Sequence, residues 1–133
     1  MSRYVYYQPN KMDVKDEYGD CTIRAISKVF NCEWIDAFKK TLPLCEKYQL
    51  LPNYIFFAGH EKEVAEILGL TKGTITVKKG RKRPTVEQFA KEHPSGSYIV
   101  KVAHHVVAVV DGKYYDTWDS GKKSLYGYFT KEV

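Results

Sequence analysis

The stretch from His105 to Trp118 constrains the fold more tightly than any other part of the sequence. Apolar and aromatic residues flank Asp111-Gly112, a dipeptide that favours a two-residue hairpin turn of the primed type. A turn at these two positions fixes which residues lie opposite each other in the two antiparallel strands. The predicted pairs are Val110 with Lys113, Val107 with Asp116, and His105 with Trp118.

Two histidine–aspartate pairs are compatible with this register. Directly opposed residues share one face of a hairpin, so His105 and Asp116 are expected to be diagonal neighbours within reach of a hydrogen bond. Trp118, opposite His105, would cover that bond from water. His104 and Asp119 have the same register on the other face, and geometry alone does not dismiss them. We favour His105 and Asp116 because their face also carries the tryptophan.

Cys21 is predicted to lie in the first turn of an apolar helix. Asp20 is a suitable N-cap, and apolar side chains recur along the segment as far as Phe30. Unpaired N–H groups and the positive end of the helix dipole stabilise a thiolate at this position. An ionised Asp20 opposes that effect unless capping N–H groups or Arg24 neutralise its charge.

The order of periodicities along the 133 residues predicts one α+β domain covering residues 1–133. Helical patterns come first, and β-rich patterns follow from Gly96. The predicted helices cover residues 21–30, 33–40 (with an interruption at Pro43 and a continuation to Tyr48), 61–68, and 86–92 behind a capping box of Thr85 and Gln88. The predicted strands cover residues 4–7, 74–79, 97–102, 105–110, 113–118 and 125–130.

Cys21, His105 and Asp116 are the three groups that a thiol-nucleophile hydrolase needs. The imidazole of His105 takes the thiol proton and later gives it to the leaving group, and Asp116 fixes the histidine tautomer. The oxyanion would bind the backbone N–H of Cys21 and a second donor, for which Gln8 and Asn10 have suitable amides. The sequence therefore predicts a Cys-His-Asp triad.

These residues resemble the papain-like cysteine peptidases, whose chain order is nucleophile, histidine, then asparagine or aspartate. Cys21 matches the cysteine that begins their central helix, and His105 with the apolar residues after it matches their histidine strand. Asp116-Thr117-Trp118 resembles their Asn-Ser-Trp, and Gly127-Tyr128-Phe129 resembles the strand that follows. The resemblance implies a papain-like fold, with the cysteine helix packed on a C-terminal antiparallel sheet. It also implies hydrolysis of a peptide, isopeptide or related amide bond, although acyl transfer or glutamine deamidation would use the same residues.

Two branches of this superfamily share features with the chain. The peptidases that process double-glycine leaders are similar in size and in having a histidine strand followed by an aspartate. The ovarian-tumour-type deubiquitinases carry Asp-Gly-x-Cys-x-x-Arg, and the segment from Gly19 to Arg24 looks similar, with Tyr18 in place of the first aspartate. Lys15 stands where papain-type enzymes have a glutamine six residues before the cysteine. The sequence leaves both branches open.

A basic cluster supports an alternative interpretation. The chain has a formal net charge of +5, and five basic residues fall within six positions: Lys78, Lys79, Arg81, Lys82 and Arg83. Such a run is typical of a solvated loop, and it would also suit contact with nucleic acid or an acidic protein. The alternative is a non-catalytic protein of the same scaffold that binds a protein or nucleic-acid partner through residues 78–83.

The remaining cysteine and histidine residues are interpreted as structural, and they are Cys32, Cys45, His60 and His93. Three cysteines without metal-like spacing favour free thiols, and we expect a cytoplasmic protein. We expect no cofactor and no metal, since His104 and His105 would point to opposite faces of a strand. Residues 1–10 lack an apolar leader pattern, and no apolar run approaches the roughly 20 residues that cross a bilayer, so we expect no membrane partner.

Overall fold

The computed structural model describes residues 2–132, in which four α-helices and a short 3₁₀ turn accompany one six-stranded sheet. The α+β class predicted from the sequence is confirmed. The helices are α1 (Cys21–Phe30), α2 (Trp34–Tyr48), α3 (Glu61–Leu68) and α4 (Val86–Glu92), and the 3₁₀ turn is Pro52–Tyr54. The strands are β1 (Tyr4–Tyr6), β2 (Leu70–Gly73), β3 (Ser97–Val102), β4 (His105–Val110), β5 (Lys113–Asp116) and β6 (Gly127–Lys131).

The sheet is mixed, with the strand order β1-β5-β4-β3-β6-β2. The four C-terminal strands pair antiparallel to one another and form its centre. The predicted C-terminal antiparallel strands are therefore present, and one further strand extends the sheet at each edge. β1 pairs parallel with β5, and β2 pairs antiparallel with β6. These additions cover edges that would otherwise expose unpaired backbone groups.

Two apolar clusters lie against the sheet. One contains the buried residues of α1 together with Val106 and Ala108 of β4. The other contains the buried residues of α4 together with Val107 and Val109. Because successive strand residues point to opposite faces, α1 and α4 cover opposite sides of the sheet. The sheet is therefore buried on both faces, and α1 packs directly on the strand that begins with His105.

The start of α1 differs from the prediction in one respect. Asp20 precedes the helix, but its side chain makes no capping hydrogen bond to the helix backbone. The carboxylate instead binds Arg24 and Trp34, because these two donors compete for the same oxygens. By contrast, the predicted capping box of α4 is confirmed, with Thr85 and Gln88 each accepting a hydrogen bond from the other's backbone N–H.

Pro43 does not interrupt α2, which runs without a break from Trp34 to Tyr48. The predicted interruption is wrong because residues of this helix are buried both before and after the proline. Ala37, Thr41 and Leu44 are fully buried, whereas Pro43 itself faces solvent. The Thr41 hydroxyl also donates to the Phe38 carbonyl oxygen at 2.7 Å. Tertiary packing thus holds a helix that local propensity disfavours.

The edge strand predicted at residues 74–79 is also wrong. Residues 74–78 have no regular secondary structure, and the strand lies earlier, in β2. At the end of β2, Gly73 lies directly beneath the Tyr128 ring of β6, and a Cβ at this position would overlap that ring. Because Gly73 has no side chain, β2 can pair with β6 at this position. The alternating pattern of residues 74–79 does not indicate this pairing. Smaller differences are that β1 and β5 end before the predicted residues, and β6 begins later and ends one residue further on.

No helix within residues 2–132 is both long and apolar enough to cross a membrane.

Candidate active site

The site begins at the N-terminus of α1, where Cys21 is the first helical residue. Gly19 takes a left-handed backbone conformation with φ +61°, which a β-carbon would disfavour. Asp20 then leads directly into the helix. The Cys21 side chain is buried, with 8% of the residue exposed. The packing of α1 on β4 brings the sulfur close to His105 and Val106, the first two residues of that strand.

The two strands of the C-terminal hairpin supply the imidazole and a carboxylate. The predicted register is confirmed as far as the ladder extends, with Val110 opposite Lys113. His105 is the first residue of β4, and Asp116 is the last residue of β5. The His105 Nε2 donates to Asp116 Oδ2 at 2.7 Å, because an ionised carboxylate can only accept. The structure thus brings His105 and Asp116 together as the spacing predicted.

The other predicted pair, His104 with Asp119, does not form. His104 lies in the two-residue turn between β3 and β4, with φ +57° and an exposed side chain. Asp119 lies beyond the end of β5, and its carboxylate accepts hydrogen bonds from the Tyr114 hydroxyl and the Gly121 N–H. Because His104 lies in this turn and not in β4, the pairing register of β4 with β5 does not place it opposite Asp119.

Trp118 covers one side of the imidazole, although it does not belong to the sheet. β5 ends at Asp116, and Trp118 lies in the bend that follows. Its ring centroid is 5.0 Å from that of His105, with the two planes tilted by 33°. The indole is itself 43% exposed, whereas the His105 side chain is only 12% exposed. The expected covering contact is therefore present, but the loop rather than strand pairing provides it.

Asp116 is the most heavily bonded side chain of the site. Besides His105, its carboxylate accepts hydrogen bonds from Ser120 Oγ at 2.9 Å, the Thr117 N–H at 2.8 Å and Arg24 Nη2 at 3.2 Å. Only 2% of the residue is exposed. These donors compensate for the loss of water around a buried carboxylate. They also fix its orientation towards the imidazole.

Arg24 connects this carboxylate to a second buried one. Its Nη1 donates to Asp20 Oδ1 at 2.5 Å, and the Trp34 indole N–H donates to Asp20 Oδ2 at 2.6 Å. Arg24 and Asp20 are 7% and 5% exposed. The positive charge of Arg24 thus offsets the negative charge that Asp20 places beside the thiol. The i,i+4 spacing of Asp20 and Arg24 is visible in the sequence, whereas nothing in it indicates the contacts of Trp34 and Ser120.

The pKa of the Cys21 thiol is below its ordinary value. Burial raises it, but a hydrogen bond and the charge of His105 outweigh this effect, and the Val106 N–H and Arg24 lower it further. Asp116 already occupies Nε2 of His105, so Nδ1 is the ring nitrogen left for the sulfur. The site therefore favours a thiolate beside an imidazolium.

The pKa of His105 is shifted in the complementary direction. Burial alone would lower it, but hydrogen bonds to Asp116 and Cys21 raise it to about 9. Burial raises the pKa of the Asp116 carboxyl, but the donors around it, His105 first, hold that pKa below its usual range. These directions describe a protonated imidazole held between two anions.

Gln8 and Asn10, the expected oxyanion donors, are engaged within their own loop. The Gln8 amide donates to Asp16 at 2.9 Å and to Asp13 at 3.3 Å. The Asn10 side-chain oxygen accepts the Met12 N–H at 3.0 Å. The structure does not bring either side chain into hydrogen-bond contact with Cys21.

Asn53 is the side-chain amide that does contact Cys21, and no pattern in the sequence indicates this role. It lies in the 3₁₀ turn after α2. Its Nδ2 donates to the Gly19 carbonyl oxygen, and its Oδ1 accepts the Thr22 N–H at 3.3 Å. Because a carbonyl can only accept and an N–H can only donate, both partners fix the same orientation of the amide. Oδ1 therefore faces the sulfur, 3.7 Å away, and accepts the S–H of Cys21 only while the thiol is protonated.

A cleft of about 590 Å³ opens beside this end of α1. Aromatic and aliphatic side chains dominate its walls, and Asn53 and the backbone of Gly19 connect it to the cysteine. The side chains that define the cleft here are Tyr18, Ile23, Trp34, Phe38, Leu51 and Tyr54.

The other cysteines and histidines have local contacts of their own. The His60 ring stacks on Tyr48 with centroids 3.7 Å apart, and the His93 ring stacks on Phe89 at 3.8 Å. Cys32, Cys45 and Cys21 are all free thiols. Among residues 2–132, no group of three or more His, Cys, Asp or Glu side chains is arranged to hold a metal ion.

The basic cluster lies in the irregular segment between β2 and α4. Lys78, Lys79, Arg81 and Lys82 are exposed. Arg83 is partly buried, where its guanidinium lies 4.6 Å from the centroid of the Tyr126 ring. Four of the five positive charges therefore face solvent, as expected for a solvated loop.

The geometry combines a buried thiol of lowered pKa, an imidazolium held by a carboxylate, and an adjoining apolar cleft. Such an arrangement can form a covalent bond to an electrophilic carbon and can donate a proton to a leaving group. Comparisons with models of protein families, with curated proteins and with solved structures gave no match for this chain.

Proposed function

We propose that the protein is a cysteine hydrolase that cleaves a peptide, isopeptide or related amide bond. Cys21 is the nucleophile, His105 is the general acid and base, and Asp116 orients the imidazole. The observation that carries the proposal is the 2.7 Å bond between His105 and Asp116 beside a thiol whose pKa that same histidine lowers. The resemblance to papain-like peptidases in the order of these residues supports a papain-like arrangement of the fold.

The reaction would proceed in two halves. The Cys21 thiolate attacks the carbonyl carbon and forms a tetrahedral oxyanion, which the Cys21 backbone N–H stabilises. His105 then gives its proton to the departing amine as the C–N bond breaks, leaving a thioester on the sulfur. In the second half, His105 takes a proton from water, and the resulting hydroxide attacks the thioester. The C–S bond then breaks, the acid product leaves, and the thiolate and the imidazolium are restored.

The buried network supports the chemistry by holding Asp116 ionised and immobile. Asp116 stabilises the imidazolium and fixes its tautomer, so that one ring nitrogen faces the sulfur. Arg24 offsets the negative charge of Asp20, the residue directly before the nucleophile. Without this ion pair, that charge would oppose formation of the thiolate. The three free thiols are compatible with the reducing cytoplasm, where we propose the protein acts.

A comparison of three chains tests the proposal. Wild type, Cys21→Ala and the control Cys32→Ala are incubated with lysate of the source cell, and mass spectrometry identifies cleaved or modified proteins. We expect new termini or hydrolysed side-chain amides with wild type and Cys32→Ala, and none with Cys21→Ala. If all three chains give the same products, the hydrolase proposal is wrong.

The exposed basic segment favours one second candidate, a non-catalytic protein that binds an acidic partner through residues 78–83. In that case, a chain in which Lys78, Lys79, Arg81 and Lys82 are all changed to Gln would lose binding to acidic polymers. Cys21→Ala would leave that binding intact. Titration with polyglutamate and with single-stranded oligonucleotide at two salt concentrations separates the two kinds of partner.

A further inference from the structure

The structure places a second pair of lysines beside the basic cluster of residues 78–83. The segment that follows this cluster runs antiparallel to the loop between β5 and β6, with an isolated bridge between Thr85 and Ser124. Backbone hydrogen bonds of 2.9 and 3.0 Å on the two sides of the bridge hold the segments together. The bridge therefore brings Lys122 and Lys123 to a cluster that lies far from them in the sequence.

The two joined segments, residues 74–86 and 120–127, contain seven basic residues and no acidic residue. The acidic residues that flank them in the chain are Glu87 and Asp119, two charges against seven. The other 14 Lys and Arg residues are outnumbered by the 16 Asp and Glu residues of the chain, so the positive excess is concentrated here. Such a concentration attracts a polyanion. Six of the seven basic side chains are exposed, and they are Lys78, Lys79, Arg81, Lys82, Lys122 and Lys123.

Exposed aromatic rings lie among these charges. Tyr126 is 54% exposed, and the Arg83 guanidinium lies 4.6 Å from the centroid of its ring. Trp118 is 43% exposed, and the Nζ of Lys123 lies 5.9 Å from its ring centroid. The sequence does not indicate this arrangement, because neither ring is near the run at residues 78–83. Cations and exposed rings together match the two parts of a nucleotide, its phosphate and its planar base.

The combination of charges and rings distinguishes between the classes of polyanion. An acidic polypeptide pairs its carboxylates with Lys and Arg, but those side chains have no ring that stacks on an aromatic residue. A nucleic acid duplex binds cations through its phosphates, but its bases are already stacked on one another. A single strand uses both components, since its unpaired bases stack on aromatic side chains. The surface therefore fits a single strand best.

We propose that the protein binds single-stranded nucleic acid, DNA or RNA, on a basic surface formed by residues 78–83, Lys122, Lys123, Tyr126 and Trp118. The phosphates contact the exposed lysine and arginine side chains, and a base stacks on Tyr126 beside the guanidinium. Binding here does not require the proposed hydrolysis, since no group of the triad takes part. Unlike binding through residues 78–83 alone, it requires the loop between β5 and β6.

Fluorescence anisotropy of the full chain with labelled oligothymidine and oligouridine, each of about 12 nucleotides, tests the proposal. Between about 50 and 200 mM salt, we expect the logarithm of the affinity to fall with a slope of about −3 or steeper, as for four or more neutralised phosphates. The tighter of the two strands identifies DNA or RNA as the partner. Absence of binding to both strands at about 50 mM salt would overturn the proposal.

Competition separates a single strand from other polyanions. Polyglutamate and a DNA duplex of the same length should displace the labelled strand about tenfold more weakly than the unlabelled strand, because neither offers an unstacked base. Equal displacement by polyglutamate would indicate a surface for acidic proteins and overturn the nucleic-acid proposal. Equal displacement by the duplex would overturn the assignment to a single strand.

A matched pair of double variants locates the phosphate contacts. Lys122→Gln with Lys123→Gln should weaken binding about tenfold and make the salt slope less steep by about one unit. Lys39→Gln with Lys40→Gln removes the same charge from two adjacent exposed lysines of α2, and it should weaken binding less than about twofold. Equal losses in the two double variants would show an effect of net charge alone and overturn the joined surface.

Replacement of Tyr126 tests base stacking. Tyr126→Ala should weaken binding about fivefold or more with an unchanged salt slope, and Tyr126→Phe, which keeps the ring, should restore the affinity. Tyr54→Ala is the control, because Tyr54 is similarly exposed, at 57%, in the 3₁₀ turn after α2. Circular dichroism checks that each variant is folded. If Tyr126→Ala binds as tightly as Tyr54→Ala, the stacking contact is wrong, and with it the preference for a single strand.

Discussion

The guanidinium of Arg24 lies 3.2 Å from the carboxylate of Asp116, although 92 positions separate the two residues in the chain. This ion pair joins the first helix to the end of the C-terminal hairpin. Because Arg24 also binds Asp20, one buried cation serves two buried carboxylates. The pair fixes the distance between the element that carries the thiol and the elements that carry the imidazole and its partner.

Removal of Arg24 should destabilise the fold strongly. In Arg24→Met, Asp20 and Asp116 remain buried without their cation, and such a loss typically lowers the free energy of unfolding by about 3–5 kcal/mol. Urea unfolding followed by circular dichroism measures it. Lys47→Met is the matched control, because it breaks an ion pair with Glu63 whose lysine is 55% exposed. That change should cost less than about 1 kcal/mol, and equal losses in the two variants would contradict a buried network.

Cys21 should react with iodoacetamide at lower pH than the other thiols. Its pKa is below the ordinary value, so part of it is thiolate at neutral pH, whereas burial raises the pKa of Cys32. Peptide-resolved mass spectrometry across pH 5–10 compares both thiols within one sample. His105→Ala removes the largest favourable influence on the Cys21 pKa and should slow its alkylation at pH 7 about tenfold or more. A Cys21 profile that coincides with that of Cys32 would falsify the thiolate–imidazolium pair.

The stability of the protein should fall as pH rises through the pKa of His105. That pKa is raised to about 9 in the folded state, so the protonated imidazole stabilises the fold. The contribution is fully present below the unfolded pKa of about 6.5 and is lost as pH rises through the folded value. A Cys21→Ser background removes the thiol, whose own ionisation acts in the opposite direction, and there Asp116 alone still raises the histidine pKa. Urea unfolding should give a smaller free energy of unfolding at pH 9.5 than at pH 6. His105→Gln in the same background should show a flatter profile.

Replacements of Asn53 should shift the pKa of the Cys21 thiol in a direction that depends on the new side chain. Its Oδ1 accepts the S–H and thereby favours the neutral thiol. Asn53→Ala should therefore move the alkylation profile of Cys21 to lower pH, and Asn53→Asp, which adds a negative charge beside the sulfur, should move it to higher pH. Asn10→Ala is the control, since that side chain bonds within its own loop. Shifts of the same sign in both Asn53 variants would contradict a direct contact with the sulfur.

Replacement of Pro43 by alanine should stabilise the protein. Pro43 lies inside α2 with an exposed side chain, so alanine restores a helical hydrogen bond without opening a cavity. The expected gain in the free energy of unfolding is about 1–3 kcal/mol. Pro52→Ala provides the contrast, because Pro52 is the first residue of the 3₁₀ turn, where its N–H is not needed. That variant should gain nothing, and a gain of equal size in both would contradict the explanation.

Local signals in the sequence were sufficient for a large part of the fold and of the site. The Asp111-Gly112 turn takes positive φ at both residues and sets the register of β4 and β5, which in turn brings His105 to Asp116. The bounds of α1 and of β3 match the prediction because apolar periodicity and flanking turn residues act within a few positions. An ion pair between residues that are close in the sequence, such as Asp20 and Arg24, can be predicted in the same way.

Tertiary structure alone decided which distant groups complete the site. The parallel pairing of β1 with β5, the course of α2 past Pro43, and the contacts of Asn53, Trp34 and Ser120 depend on side chains far away in the chain. A hydrogen-bonding side chain carries the same sequence signal whether it faces solvent or a buried sulfur. Its role is set by which surface packs against it, and that surface exists only once the helices have covered the sheet.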